Sequence, residues 1–182
     1  MVNWLRTNVY AAGILGLIRL YLGWQWMNDG WGKLTGPKPF DATGFMQGII
    51  AKPVVGPHKD VLYPMYNSFI EGFALPNVKL FNVLVAWGEF LVGVGLILGV
   101  LTTVAMFFGL MMNFMYLFAG TVSVNPWMIL LGVLILFAGY NAGRFGGDYW
   151  VIPWVRQFTA PFFGKLTGKQ NQNGIDIKHK VA

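Results

Sequence analysis

Two charges stand where charge is hard to keep. Glu89 lies in the middle of residues 83–101 (VLVAWGEFLVGVGLILGVL), and Arg19 lies within the first long apolar run. A run of about 20 apolar residues crosses a hydrocarbon core of ~30 Å. A charge at its centre costs about 2.5–3.5 kcal/mol on insertion scales. At 1.5 Å per residue, Arg19 lies roughly 16 Å from Asn8, and Glu89 roughly 15 Å from Lys79. Asn113 lies roughly 18 Å from Leu101 by the same count. Equal depths predict a direct or water-bridged Arg19–Glu89 contact. Such a pair could simply fix helix register, since buried ion pairs do. It could instead bind a polar ligand or move a proton, with Glu89 and Arg19 as catalytic groups.

A second group gathers at the far end of the first apolar run: Trp24, Trp26, Asp29, Trp31 and Lys33. It reads either as an aromatic belt with a snorkelling lysine or as the mouth of a site for a small anion or a quinone ring. Asn113 and Asn125 join it as candidate binding residues, Asn113 also serving as a helix–helix hydrogen-bond group. His58 falls in a loop and His179 in a tail, which excludes an intramembrane bis-histidine haem. Asp148 follows Arg144 by four residues and could pair with it. The chain has no cysteine, so it has no thiolate nucleophile, CxxC pair or cysteine-ligated cluster. No haem, iron–sulfur cluster or metal is expected.

These groups need elements to hold them, and the composition says which kind. Only 11% of residues are charged, against about 25% in soluble domains. The chain reads as one all-α domain, a polytopic membrane protein with a four-transmembrane-helix bundle. The spans are residues 8–28, 77–100, 104–119 and 126–143. Residues 29–76 form an extracytoplasmic cap with short helices over 42–51 and 60–73. The hairpin between the second and third spans falls at Thr102 and Thr103. Pro126 sits at a first helical turn, where proline is tolerated. Residues 144–182 form an interfacial and cytoplasmic tail. Within it, 148–165 is broken by Pro153 and Pro161, and Trp150, Trp154, Phe158, Phe162 and Phe163 make an aromatic belt.

Each span carries a small-and-polar stripe on one face. These are Ala12, Gly16, Arg19, Gly23, Trp26, Gly30 and Lys33 in the first; Asn82, Ala86, Glu89, Gly93 and Leu96 in the second; Met106, Gly109, Asn113, Tyr116 and Gly120 in the third; and Asn125, Ile129, Gly132, Leu136, Gly139 and Gly143 in the fourth. Basic residues are more numerous at the termini than in the connector, which puts the termini in the cytoplasm. The net charge of +6 fits anionic headgroups rather than nucleic acid.

Three stretches together, 18–36 (IRLYLGWQWMNDGWGKLTG), 86–102 (AWGEFLVGVGLILGVLT) and 111–150 (MMNFMYLFAGTVSVNPWMILLGVLILFAGYNAGRFGGDYW), resemble the DoxX/DoxD family. That family includes the DoxD-type membrane subunits of thiosulfate:quinone oxidoreductase. The resemblance implies a four-helix membrane fold in the plasma membrane of a prokaryote. It also implies oxidation of thiosulfate to tetrathionate, with electrons passed to a membrane quinone as acceptor substrate. Membrane lipid, a small second subunit and a second copy of the chain are the implied partners. Other members of the family are tied to oxidative or quinone stress instead of sulfur metabolism. A small-anion transporter and a non-enzymatic scaffold of a redox system therefore stand beside the oxidoreductase reading.

Overall fold

The structure, a computed structural model, describes residues 2–166, with side chains through residue 157. Its elements are helices. A short α1 (Val2–Thr7) leads at Asn8 into α2 (Val9–Thr35), where the Asn8 side chain accepts from the Tyr10 and Ala11 amides. The connector holds α3 (Thr43–Ala51) and α4 (Pro64–Phe69), the latter continuing as one wide turn, Ile70–Ala74. Then come α5 (Val78–Leu98), α6 (Thr102–Phe118) and α7 (Asn125–Ala138), which tightens into a 3-10 turn, Gly139–Gly143. The chain continues as α8 (Asp148–Leu166).

Helices α2, α5, α6 and α7 form a four-helix bundle, with α2 running along α5, and α6 packed on both α5 and α7. Two segments, Val78–Leu98 and Asn125–Gly143, are long and apolar enough to cross a membrane. Only 28% and 39% of their most apolar windows are buried inside the protein. The core helix of a soluble protein would be mostly buried. Here Leu84, Leu91, Leu98, Trp127 and Phe137 face outward, as lipid contact requires. Helix α6 is shorter at 17 residues, and α2 carries Arg19, Asp29 and Lys33 among its 27.

Inside the bundle, Leu15, Leu22, Trp26, Leu96, Met106, Met128 and Ile135 form one core. A second core under the connector joins Met46, Ile49, Ile70 and Ala74, with Phe40, Tyr66, Phe81 and Ala119 against it. The connector is thus a packed cap over one end of the bundle, called here the cap end. Burial pushes the Tyr66 phenol up to about 12. The other end, where α1 and the start of α8 lie, is the terminal end.

The structure differs from the sequence expectation in three places. The first helix does not stop near Asn28 but runs through Gly30 and Gly32 to Thr35. Glycine only weakens a helix by about 1 kcal/mol, and Gly30 lies directly against the Phe90 backbone, where no side chain would fit. The chain leaves α2 at Gly36, just before Pro37, which disfavours helix in the residue preceding it. The α5–α6 hairpin is Gly99–Leu101, not Thr102–Thr103; Gly99 (φ 65) and Leu101 (φ 50) are left-handed, and Thr102 is already helical. Residues 148–165 are one helix and not a broken segment. Pro153 is the sixth residue of α8, past the first turn where proline is tolerated; nothing in the structure explains the tolerance of Pro153 or Pro161. Phe158, Phe162, Phe163 and His179 lie outside the residues whose side chains are described.

Candidate functional site

The site is built on the α2–α5 contact. Gly23 meets Ile97, Gly93 meets Met27, and Gly30 meets Phe90. Each glycine removes a side chain that would strike the opposing helix, so the two backbones approach closely. These three contacts fix a single antiparallel register. Extended toward the cap end, it brings Lys33 beside Glu89. Extended the other way, it carries Arg19 past the last turn of α5.

Glu89 is therefore paired with Lys33, at 2.5 Å from Nζ to Oε2. Its other oxygen, Oε1, accepts the Tyr116 hydroxyl from α6. The Glu89 side chain is 2% exposed and that of Lys33 25% exposed, so the cluster is closed on the bundle side and open past Lys33. Lys33 Nζ lies 5.5 Å from the centre of the Phe40 ring, at the start of the cap. Phe45 of α3 meets the Tyr116 ring edge-on at 6.4 Å, and Trp31 leans on Phe90 at 5.7 Å. Asp29 is exposed, yet near enough to act electrostatically on Glu89.

The expected Arg19–Glu89 contact does not form. Arg19 is buried at the terminal end, against Gly99 and Gly146. Gly99 is ten residues from Glu89, about 15 Å along α5. The opposite charge acting on Arg19 is Asp148. Nor does Asp148 pair with Arg144. Its carboxylate accepts the Leu101 and Thr102 amides at 2.6 and 3.1 Å, capping α6.

The other candidates separate in the same way. Trp24 and Trp31 are more than half exposed. Trp26 and Asn113 are buried, Trp26 with its indole nitrogen against Gly109 of α6, and the Trp26 indole N–H and both Asn113 side-chain atoms have no hydrogen-bond partner. Asn113 lies one turn from Tyr116 on the inward stripe of α6. Asn125 donates to the Thr121 carbonyl at 2.9 Å and so serves the turn into α7. Tyr116 lies on the small-and-polar stripe of its span, and its spacing from Asn113 is the sequence signal that points to it. Asn82 lies on the Glu89 stripe. Its side chain accepts the Ala42 amide at 2.9 Å and donates to Asp41 at 3.4 Å, pinning the cap to α5.

Among the described residues no group of three His, Asp or Glu is placed to hold a metal ion. An apolar groove of about 490 Å³ runs between α6 and α7, lined by Phe107, Met111, Phe114 and Phe118 among others. It lies on the side of α6 away from Tyr116 and is not part of the cluster.

A helical bundle with an apolar outer surface and a buried acid, amine and phenol under an aromatic cap is the build of a membrane protein with an enclosed polar cluster. The DoxX family model matches residues 14–123, more than half of the chain, and the chain belongs to the DoxX family. That match contains Arg19, Lys33, Glu89, Asn113 and Tyr116, and leaves out Asn125 and Asp148. No curated protein and no solved structure matches the chain.

Proposed function

We propose that this protein is the membrane subunit of a quinone-linked oxidoreductase, thiosulfate:quinone oxidoreductase of the DoxD type. The observation that carries the reading is the Lys33–Glu89–Tyr116 cluster under the aromatic edge of the cap. In that reaction two thiosulfates lose two electrons and join through a new S–S bond as tetrathionate. The quinone takes up those two electrons and two protons. A buried carboxyl hydrogen-bonded to a phenol is suited to deliver a proton to a reduced quinone oxygen. Lys33 supplies the positive charge that attracts a sulfur oxyanion or steadies a quinone oxygen carrying negative charge. Phe40, Phe45 and Trp31 offer ring faces to an aromatic headgroup. Trp26 and Asn113 supply unpaired donors deeper in. Arg19 has no part in this site.

In this reading all four bundle helices cross the plasma membrane of a prokaryote, with the termini in the cytoplasm and the cap outside. Tyr149, Trp150 and Trp154, all exposed on α8, then lie in the interface. Membrane quinone is the acceptor substrate, and the chain holds no haem, cluster or metal of its own. A small second subunit, or a second copy, completes the enzyme.

A scaffold reading has one observation in its favour: both Glu89 oxygens are already satisfied, as a register-setting pair would have them. A transporter reading is disfavoured by Leu22, Leu96 and Met106, each 0% exposed, which fill the bundle between the Glu89 and Arg19 levels. The test is quinol formation by the purified protein supplied with thiosulfate and a short-chain quinone. Thiosulfate-dependent quinol and tetrathionate support the enzyme. Anion uptake into proteoliposomes without quinol formation would replace it with the transporter.

A further inference from the structure

Arg19 is left over by the site above, and its surroundings are unusual. The residue is 4% exposed, and its Nε and Nη1 have no hydrogen-bond partner. The Thr102 hydroxyl, fully buried, also has none. Both groups neighbour Asp148, yet that carboxylate is already engaged by the Leu101 and Thr102 amides. Buried guanidinium donors without acceptors are costly, and a bound ion is one of the partners that satisfies such groups. The surrounding backbone is shaped for the guanidinium. A Cβ at Gly99 or Gly146 would strike Nη1, and one at Gly143 would strike the Asp148 carboxylate. The 143–147 loop that closes over Arg19, GRFGG, is glycine-rich and leads straight into α8. Around this end stand further cations, Arg144 and Arg156, both exposed.

We propose that Arg19 is the anchor of an oxyanion site at the terminal end of the bundle, separate from the Glu89 cluster. Its planar fork matches two oxygens of a tetrahedral phosphate or sulfate group, and the Thr102 hydroxyl supplies another donor. The amides of the first turn of α8 are already bonded, Gly147 and Asp148 to the Leu98 and Gly99 carbonyls, so the side chains and not the helix terminus do the binding. The 143–147 loop must swing outward to admit the group. Two sources offer this chemistry: the phosphate of an anionic phospholipid, and a free oxyanion. The site does not depend on the oxidoreductase reading, since it concerns binding alone.

The full chain, purified in detergent, tests it with two probes. Native mass spectrometry reads retained phosphatidylglycerol. Thermal unfolding of delipidated protein reads sodium sulfate against sodium chloride at equal ionic strength. Wild type should retain the lipid, gain stability in sulfate, or both. Arg19→Gln should lose the response by about tenfold or more, since charge-assisted bonds are lost, while Arg144→Gln keeps it. Lipid retention alone names the phospholipid, and a sulfate response alone names a free oxyanion. If Arg19→Gln does not fold, Arg19→Lys carries the test, because it keeps the positive charge and loses the planar fork that pairs with two oxygens. No response in wild type, or an equal response in either Arg19 variant, overturns the proposal.

Discussion

Lys33 and Glu89, fifty-six residues apart in sequence, share a 2.5 Å ion pair in which the acid is enclosed and the amine reaches the edge of the cap. That difference in exposure makes the two halves of the pair unequal. Lys33→Met leaves a buried carboxylate with only the Tyr116 hydroxyl, and a broken buried pair costs about 3 kcal/mol or more. Glu89→Gln leaves an amine that can turn to water, and should cost only about 1–2 kcal/mol. Thermal or denaturant unfolding of both variants gives the comparison; equal losses would show that Glu89 is better solvated than its position implies.

Arg19 and Glu89 occupy opposite ends of the bundle core, so they should not feel each other. Combining Arg19→Met with Glu89→Gln should give a stability loss equal to the two single losses within about 0.5 kcal/mol. The Lys33→Met and Glu89→Gln cycle should depart from additivity by about 1 kcal/mol or more. A strong coupling between Arg19 and Glu89 would mean that the α2–α5 register is wrong.

That register rests on glycine. An alanine at Gly93 would press on the Met27 backbone, and one at Gly30 on that of Phe90. Each substitution should lower stability by about 1–3 kcal/mol through overpacking. Gly32→Ala, where nothing lies within contact, should be neutral or stabilising. Unfolding midpoints decide, and a harmless Gly93→Ala would contradict the close approach.

The cap should be loosened from a single side chain. Asn82→Ala removes the acceptor for the Ala42 amide, worth about 0.5–1.5 kcal/mol, and a donor to Asp41. Amide exchange across α3 should quicken while α5 and α6 stay protected. Acid should do the same. Hydrogen bonds from the Thr43 hydroxyl and amide, and from Asn82, hold the Asp41 carboxyl below its ordinary value of 3.8. A lowered carboxylate contributes stability that is complete above the ordinary value and is lost as pH falls through the lowered one. The latch should therefore hold at pH 5 and weaken below pH ~3.8. Exchange in α3 that ignores both changes would show that the cap is held by its apolar core alone.

The sequence made much of this readable. Stripes of small and polar residues identified the inward faces of α2, α5 and α6, and Glu89, Lys33, Asn113 and Tyr116 all lie on them; in α7 the stripe shares Asn125 and Gly132 with the buried face, which otherwise runs through Met128, Ile135 and Ala138. Proline spacing and apolar content gave the cap and its two short helices. The pairing of the charges was not readable, because depth was counted from each span's own end. Helix α2 runs on to Thr35, seven residues past the expected stop, and that extension moves Lys33 into the place assigned to Arg19. Helix propensity at Gly30 and Gly32 pointed to a stop; packing against Phe90 overrode it. The role of Asp148 was hidden for a similar reason, since its partners are backbone amides at the α5–α6 turn, more than forty residues upstream.

The most direct test of the proposed chemistry is the rate of thiosulfate-dependent quinol formation in wild type, Glu89→Gln and Tyr116→Phe, each shown to be folded by its thermal transition. Wild type should turn over measurably, and Glu89→Gln should fall by about 10²-fold or more, the range general acid–base groups supply, with a smaller fall in Tyr116→Phe. Turnover in Glu89→Gln equal to wild type, or no quinol from folded wild-type protein joined by its partner subunit, would contradict that chemistry.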